Sequence, residues 1–163
     1  SIDGRSPRVG GIGWAPGTVD GGDVCECDQA VYIGISARSN AEGADQLETW
    51  LAPQGLPLHR IDIRPIRGLL HLKTGMSSLG EGRVAALAAF APTLAAAGLD
   101  VVPVDEDESY AANCVRVNDH VLVAAGYPRF EARLAALGYR PLALEVSEFR
   151  KMDGGLSCLS LRW

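Results

Sequence analysis

Val24-Cys25-Glu26-Cys27-Asp28-Gln29-Ala30-Val31-Tyr32-Ile33-Gly34-Ile35 holds two short strand-like runs, split by the turn pair Asp28-Gln29. Apolar and β-branched residues fill both runs, so the stretch reads as a hairpin. Asn40 then stands where it can cap a helix of about Ala41–Leu51, with Ala44, Leu47, Trp50 and Leu51 along one face. Pro53, Gly55 and Pro57 end that helix, and residues 58–63 read as a further strand. The order is ββαβ.

The same order recurs twice downstream. Strands are expected over residues 69–72 and 76–79, followed by an alanine-rich helix over residues 82–97 that Gly98 closes, and a strand over 99–104. A third copy runs through residues 113–117, the turn Asn118-Asp119, residues 120–124, a helix over 127–137 stopped by Gly138, and a strand over 141–146. Three α/β units repeating every 40 to 50 residues or so are the mark of an array of supersecondary modules. One such module cannot bury both faces of its sheet. A three-module arc leaves edges uncovered, so the native assembly is expected to hold more modules than this sequence supplies.

Composition bounds the function. The 163 residues are 47% hydrophobic and 21% charged, which suits one globular domain with a substantial core. A net charge of −5 with no Lys/Arg cluster argues against nucleic acid and against an anionic membrane surface. No apolar run approaches the roughly 20 residues of a spanning helix, and no charged-apolar-cleavage pattern opens the chain, so a cytoplasmic protein is expected. Cys25, Cys27, Cys114 and Cys158 are expected as free thiols, since the chain is neither short nor cysteine-dense. Residues 1–15 read as a loosely ordered lead-in, in which Ile2-Asp3-Gly4-Arg5 resembles a protease-site linker foreign to the native chain. Residues 16–163 read as three modules of one domain.

Three polar features stand at corresponding module starts. In Asp20-Gly21-Gly22-Asp23, two carboxylates flank a glycine pair that lets backbone approach a ligand closely; acidic residues there also suit a plain turn. His71 sits in the apolar run Leu69-Leu70-His71-Leu72, where a neutral imidazole with two hydrogen bonds is equally a structural residue. Cys158 follows Gly154-Gly155-Leu156-Ser157 and precedes alternating residues, so a tight loop entering a strand is expected to present the thiol, although most free cysteines are small core residues. Cys25-Glu26-Cys27 is not read as a zinc motif, because alternate strand residues are expected to flank their neighbour without converging and no Cys/His knuckle completes the set.

Taken together, Thr18-Val19-Asp20-Gly21-Gly22-Asp23-Val24, Gly34-Ile35-Ser36-Ala37-Arg38-Ser39-Asn40, Leu70-His71-Leu72-Lys73, Ala112-Asn113-Cys114 and the stretch from Ser147 to Ser160 resemble the dimethylarginine dimethylaminohydrolases. These are guanidino-modifying enzymes of pentein fold. The resemblance implies an α/β propeller of five ββαβ modules around a central active-site channel, of which this chain looks like the last three. It implies Cys158 as nucleophile, His71 as general acid and base, and Asp20 as the acidic residue beside them. It further implies Arg38 as the holder of the substrate α-carboxylate, and Met152 and Asp153 as substrate-contacting loop residues. Asp23, Lys73, Asn113 and Cys114 match family-typical positions, and their types fit strand-end hydrogen bonding or packing equally well.

The chemistry asks for such groups. Three nitrogens donate into a guanidinium carbon, so a soft thiolate is a suitable attacker, and a histidine can protonate the departing amine and then activate water. The implied reaction releases citrulline and a methylamine from methylated arginine, with a thiouronium on the cysteine and no metal or organic cofactor. Arginine deimination is the close alternative; Lys73 weighs against it, because deiminases typically place an aspartate there. An inactive fragment and a non-catalytic guanidino-binding module remain open, as do a homodimer and the N-terminal modules on a separate chain.

Overall fold

A computed structural model describes residues 14–160 of the chain. The proposed linker at residues 2–5, most of the lead-in, and residues 161–163 of the run after Cys158 lie outside the described residues. Three ββαβ modules follow one another. The first holds β1 (Val24–Cys27), β2 (Ala30–Ile35), α1 (Ala41–Leu51) and β3 (Leu58–Asp62). A single helical turn, α2 (Leu72–Gly75), leads to β4 (Met76–Gly80), β5 (Arg83–Leu87), α3 (Ala91–Ala96) and β6 (Asp100–Val104). The third module holds β7 (Val115–Val117), β8 (His120–Ala124), α4 (Pro128–Ala136) and β9 (Arg140–Leu144), and a short α5 (Ser147–Arg150) follows.

Each module is a three-stranded sheet in chain order, antiparallel across the hairpin and parallel across the helical crossover. Registers are equivalent: Val31 pairs with Leu58, Val84 with Val101 and Val121 with Pro141. The alternation of β2 explains how modules join. Val31 and Ile33 pack on Ala44, Leu47 and Leu51 of the module's own helix. Tyr32 points the other way and joins Cys25, Cys27 and Ile61 against Met76, Val84, Phe90 and Leu94 of the second module. The second module repeats the device, with Leu79, Ala85, Val102 and Val104 packed on Val115, Val121, Phe130 and Leu134 of the third. A fully buried side chain of this size contributes about 1.5–3 kcal/mol, so the inter-module seams carry much of the fold. On the third module the corresponding outer face stays open, with Val117 and Leu142 nearly half exposed.

Three expectations are corrected. The helix expected over 82–97 is a strand and a short helix, because Glu81 and Gly82 take left-handed φ values of 58° and 73° and turn β4 back into β5. Alanine's helix preference yields there to burial of Val84, Ala85 and Ala86 in a central strand. Residues 69–72 are loop and the start of α2, whereas the run expected over 76–79 is a strand, β4. Trp50 is 40% exposed, and Gly43, Ala44, Leu47 and Leu51 form the buried face of α1. Among the described residues, no helix is long and apolar enough to cross a membrane.

The start of α1 also holds the segment that carries Asp20. Asn40 Oδ1 accepts from Gly43 N and from Thr18 N, both at 2.9 Å, and Asn40 Nδ2 donates to Pro16 O at 2.7 Å. The Thr18 backbone therefore lies flat on Gly43, where a Cβ would collide with the Thr18 carbonyl. Glycine to alanine inside a helix normally gains about 1 kcal/mol. Gly43→Ala is expected to do the reverse and lower stability by about 1–3 kcal/mol, measured by urea unfolding, because the clash is with backbone.

Candidate active site

Asp20, Arg38 and His71 come from three loops and meet. His71 Nε2 lies 3.2 Å from Asp20 Oδ2, Arg38 Nη1 lies 3.6 Å from the same oxygen, and the two nitrogens are 3.4 Å apart. Gly22 N donates to Asp20 Oδ1 at 2.8 Å, and this amide, with His71 and Arg38 behind it, holds the Asp20 carboxyl below the usual carboxylate range. Asp20 is thus an anion at neutral pH. Arginine can only donate, so the two neighbours of Nε2 serve opposite states of the ring: a protonated Nε2 donates to Asp20, and a bare Nε2 accepts from Arg38. The arrangement suits a group that alternately gives and takes a proton.

Close approach requires the glycine beside it. A Cβ on Gly22 would stand 2.6 Å from the His71 ring. His71 lies in a loop and caps α2, contrary to the strand expected around it. The loop is bent there because Asp23, wholly buried, accepts from Leu72 N at 3.0 Å. Asp23 was not singled out from the sequence as a site residue; its signal was the second carboxylate of Asp20-Gly21-Gly22-Asp23, which a turn explains as well.

Cys158 is carried by a separate loop with its own anchors. Asn113, buried, accepts at Oδ1 from Ser157 N at 2.8 Å, and a Cβ on Gly155 would collide with the Asn113 carboxamide. Tyr110 donates to Gly154 O at 2.5 Å, and the Arg150 guanidinium stacks over the Tyr110 ring at 4.8 Å. The described part of the run after Gly155 is a turn: Cys158 N and Leu159 N both bond Gly155 O, at 3.0 and 3.2 Å. The expected strand entry at Leu159 and Ser160 is therefore replaced by a tight coil. The Cys158 thiol is exposed, whereas Cys25, Cys27 and Cys114 are buried. Burial pushes Cys114 up to about 12, and Cys27 is raised by its contact with Cys25 and by burial, which holds these thiols protonated. Cys25 and Cys27 share a face with sulfurs 3.7 Å apart, so the expectation that they would not converge fails: a period of two puts i and i+2 on one side.

A cavity of about 380 Å³ among the first strands of the modules links the loops, with Gly21, Lys73 and Ser157 on its wall. His71 hydrogen-bonds Asp20 and Arg38, with no direct bond to the thiol among the described contacts. Met152 and Asp153 lie on an exposed turn, with no bond to Asp20, Arg38 or His71 among the described contacts, and Asp153 borders a second groove of about 700 Å³ with Leu70, Tyr110 and Arg150.

The Asn113 anchor is testable. Asn113→Ala is expected to accelerate amide exchange at Ser157 by tenfold or more, on the order of the 1–3 kcal/mol cost of a lost buried partner, and to leave the β2 amides protected.

Comparison with known proteins shows the family. No family model matches the chain. A Pseudomonas aeruginosa protein named N(G),N(G)-dimethylarginine dimethylaminohydrolase is 43% identical over 149 residues, which are 91% of this chain and 58% of that protein. A Streptomyces coelicolor protein of the same name is 36% identical over 151 residues, covering 91% of this chain and 56% of that protein. A solved structure of the Pseudomonas aeruginosa enzyme, a cysteine-to-serine variant complexed with citrulline, superposes with a TM-score of 0.82 at 42% identity, over 92% of this chain and 58% of that one. The chain thus spans somewhat more than half the length of these relatives. In sequence and in architecture it is a homologue of the dimethylarginine dimethylaminohydrolases, built of the ββαβ modules of the pentein fold.

Proposed function

We propose that this chain carries the catalytic portion of a hydrolase that converts Nω-methylated arginine to citrulline and a methylamine. The observation that carries the reading is the meeting of Asp20, Arg38 and His71 in a chain whose one exposed cysteine, among the described residues, is Cys158. The relatives' name and the citrulline complex of one of them support the substrate class.

The mechanism follows from these groups. The Cys158 thiolate attacks the guanidinium carbon and forms a C–S bond, giving a tetrahedral adduct. His71, protonated at Nε2, passes its proton to the methylated nitrogen; the C–N bond breaks and dimethylamine leaves, with a thiouronium on Cys158. The now bare Nε2 takes a proton from water as the water oxygen attacks the same carbon. Collapse of the second adduct expels the thiolate, and its hydroxyl proton passes to the released amine as the urea carbonyl of citrulline forms, so the amine leaves as an ammonium ion. Asp20 balances the cationic substrate by a charge-assisted contact, Arg38 receives the α-carboxylate, and Met152 and Asp153 contribute from their exposed turn. The open face at Val117 and Leu142 supports a domain completed by further modules, five in all, that supply the remaining channel wall. Small molecules are the partners, and a thiol-reducing cytoplasm suits an exposed catalytic cysteine.

Arginine deimination is the second reading. Lys73 on the cavity wall disfavours it, because deiminases typically hold an aspartate at this place that accepts from the unsubstituted guanidinium, and an ammonium group can only donate. Kinetics of the full-length polypeptide that carries this sequence decide the matter. Cys158→Ser is expected to reduce kcat by at least about a thousandfold, and Arg38→Ala to act mainly on KM. Citrulline release is expected to be faster with asymmetrically dimethylated or monomethylated arginine than with arginine. Preference for plain arginine would move the protein to the deiminases, and turnover by Cys158→Ser would remove the covalent mechanism.

A further inference from the structure

We infer that Asp23 is the positioning residue that sets His71, Arg38 and Asp20 against one another, an inference that rests on the reading of those three as the catalytic and substrate-binding groups. Asp23 touches none of the reacting atoms. It is wholly buried, as is Ser39 beside it.

Its carboxyl group uses both oxygens. Oδ1 accepts from Leu72 N at 3.0 Å, which fixes the backbone immediately after His71. Oδ2 accepts from Ser36 Oγ at 2.6 Å and from Ser39 Oγ at 2.8 Å. Each hydroxyl then reaches a residue of the site. Ser36 Oγ accepts from Arg38 N at 2.9 Å and from Ser39 N at 3.1 Å. Ser39 Oγ accepts from Asp20 N at 2.9 Å. Three loops that are far apart in sequence are therefore tied to one side chain by a branch of one or two hydrogen bonds each. Gly34 makes room for it, since a Cβ there would meet Leu72 Cβ at 2.9 Å and Asp23 Oδ1 at 3.2 Å.

The bonding pattern requires a carboxyl. Ser36 Oγ already accepts two amides, so its lone pairs are used and its proton must find an acceptor. An asparagine offers one acceptor oxygen. Whichever way it is turned, its NH2 faces either the Leu72 amide or the Ser36 hydroxyl, and one buried donor is left unpaired. The three donors are neutral and no cation lies among them, so Asp23 spends its hydrogen bonds on placing backbone. Beyond the Ser39 N–Ser36 Oγ bond that joins the two serines, the branches end on different site residues. Ser36 governs Arg38, and therefore binding of the substrate head; Ser39 governs Asp20 and the Leu72 bond governs His71, and therefore the chemical step.

The test uses Asp23→Asn, Ser36→Ala and Ser39→Ala in the full-length polypeptide, read by steady-state kinetics with asymmetric dimethylarginine and by amide exchange resolved by residue. Ser36→Ala is expected to raise KM about 3- to 10-fold with kcat nearly unchanged, and Ser39→Ala to lower kcat by a similar factor with KM nearly unchanged, as fits loss of the hydroxyl that links Asp23 to Arg38 N in the one case and to Asp20 N in the other. Asp23→Asn should do both, and Ser36→Ala added to it should have less effect than alone, because the two lie on one branch. Amide exchange should accelerate at Leu72 in Asp23→Asn, at Arg38 in Ser36→Ala and at Asp20 in Ser39→Ala, with Val121 and Val123 of the third module unaffected. If Asp23→Asn does not fold, the two serine variants carry the test. Exchange that rises evenly across all modules, or kinetics of the three variants that change without a split between kcat and KM, would overturn the positioning role. A wild-type enzyme inactive on both methylarginine and arginine would instead remove the proposed reaction, and exchange at Leu72, Arg38 and Asp20 would still decide whether Asp23 holds the three loops.

Discussion

A three-stranded sheet with a helix on one side has a second apolar face, and hiding that face is the constraint from which the rest of this molecule follows. Tyr32 and Ala85 occupy the same place in successive middle strands, and both leave their own helix to pack on the next module. Stacking in this way sets the first strands of the modules side by side and leaves a cavity between them. The loops at one end of the strands are then brought together whatever their distance along the chain. Asp20, Arg38 and His71 meet because their modules must meet.

Placement of that kind is coarse, and the local hydrogen bonds refine it. Asn40 binds the segment before Asp20 to the start of α1, Asp23 binds the loops of Arg38 and His71, and Asn113 binds the loop of Cys158. Each anchor is a short polar side chain that accepts from backbone amides or from the hydroxyls that bind them. Each also faces a glycine whose missing side chain lets two backbones approach: Gly43, Gly34 and Gly155. Buried polar groups are costly unless paired, so such anchors hold loops in one arrangement at a modest net gain in stability. The same economy applies to the thiols. Three are buried, with Cys27 and Cys114 kept protonated, and the fourth is presented on a coil.

Local pattern carried the first and third modules, because β-branched strands, a capping asparagine and glycine stops each act within a few residues. The second module was misread where local and tertiary preferences disagree. Arg83-Val84-Ala85-Ala86-Leu87 has helix-forming composition, but the left-handed Glu81-Gly82 turn and burial on both faces make it a strand. Trp50 has the spacing of a buried helix position and lies outward, since Leu47 and Leu51 already fill the seam. His71 in an apolar run looked like a strand residue, and only the bond from Leu72 N to Asp23, 49 residues away, shows why it is not. Long-range hydrogen bonds of this type leave no period in a sequence. Motif resemblance points to the candidate site residues; their spacing alone leaves a turn, a structural imidazole and a core thiol equally open.

The central claim is that the chemistry runs through a covalent bond to Cys158. Acid quenching of the full-length enzyme during turnover of asymmetric dimethylarginine, followed by peptide mass spectrometry, tests it directly. The account predicts a thiouronium-mass adduct on the peptide that contains Cys158, formed in the first turnover and absent from the peptides of Cys25, Cys27 and Cys114. An adduct on another cysteine, or full burst-phase turnover with Cys158 unmodified at every quench time, would contradict it.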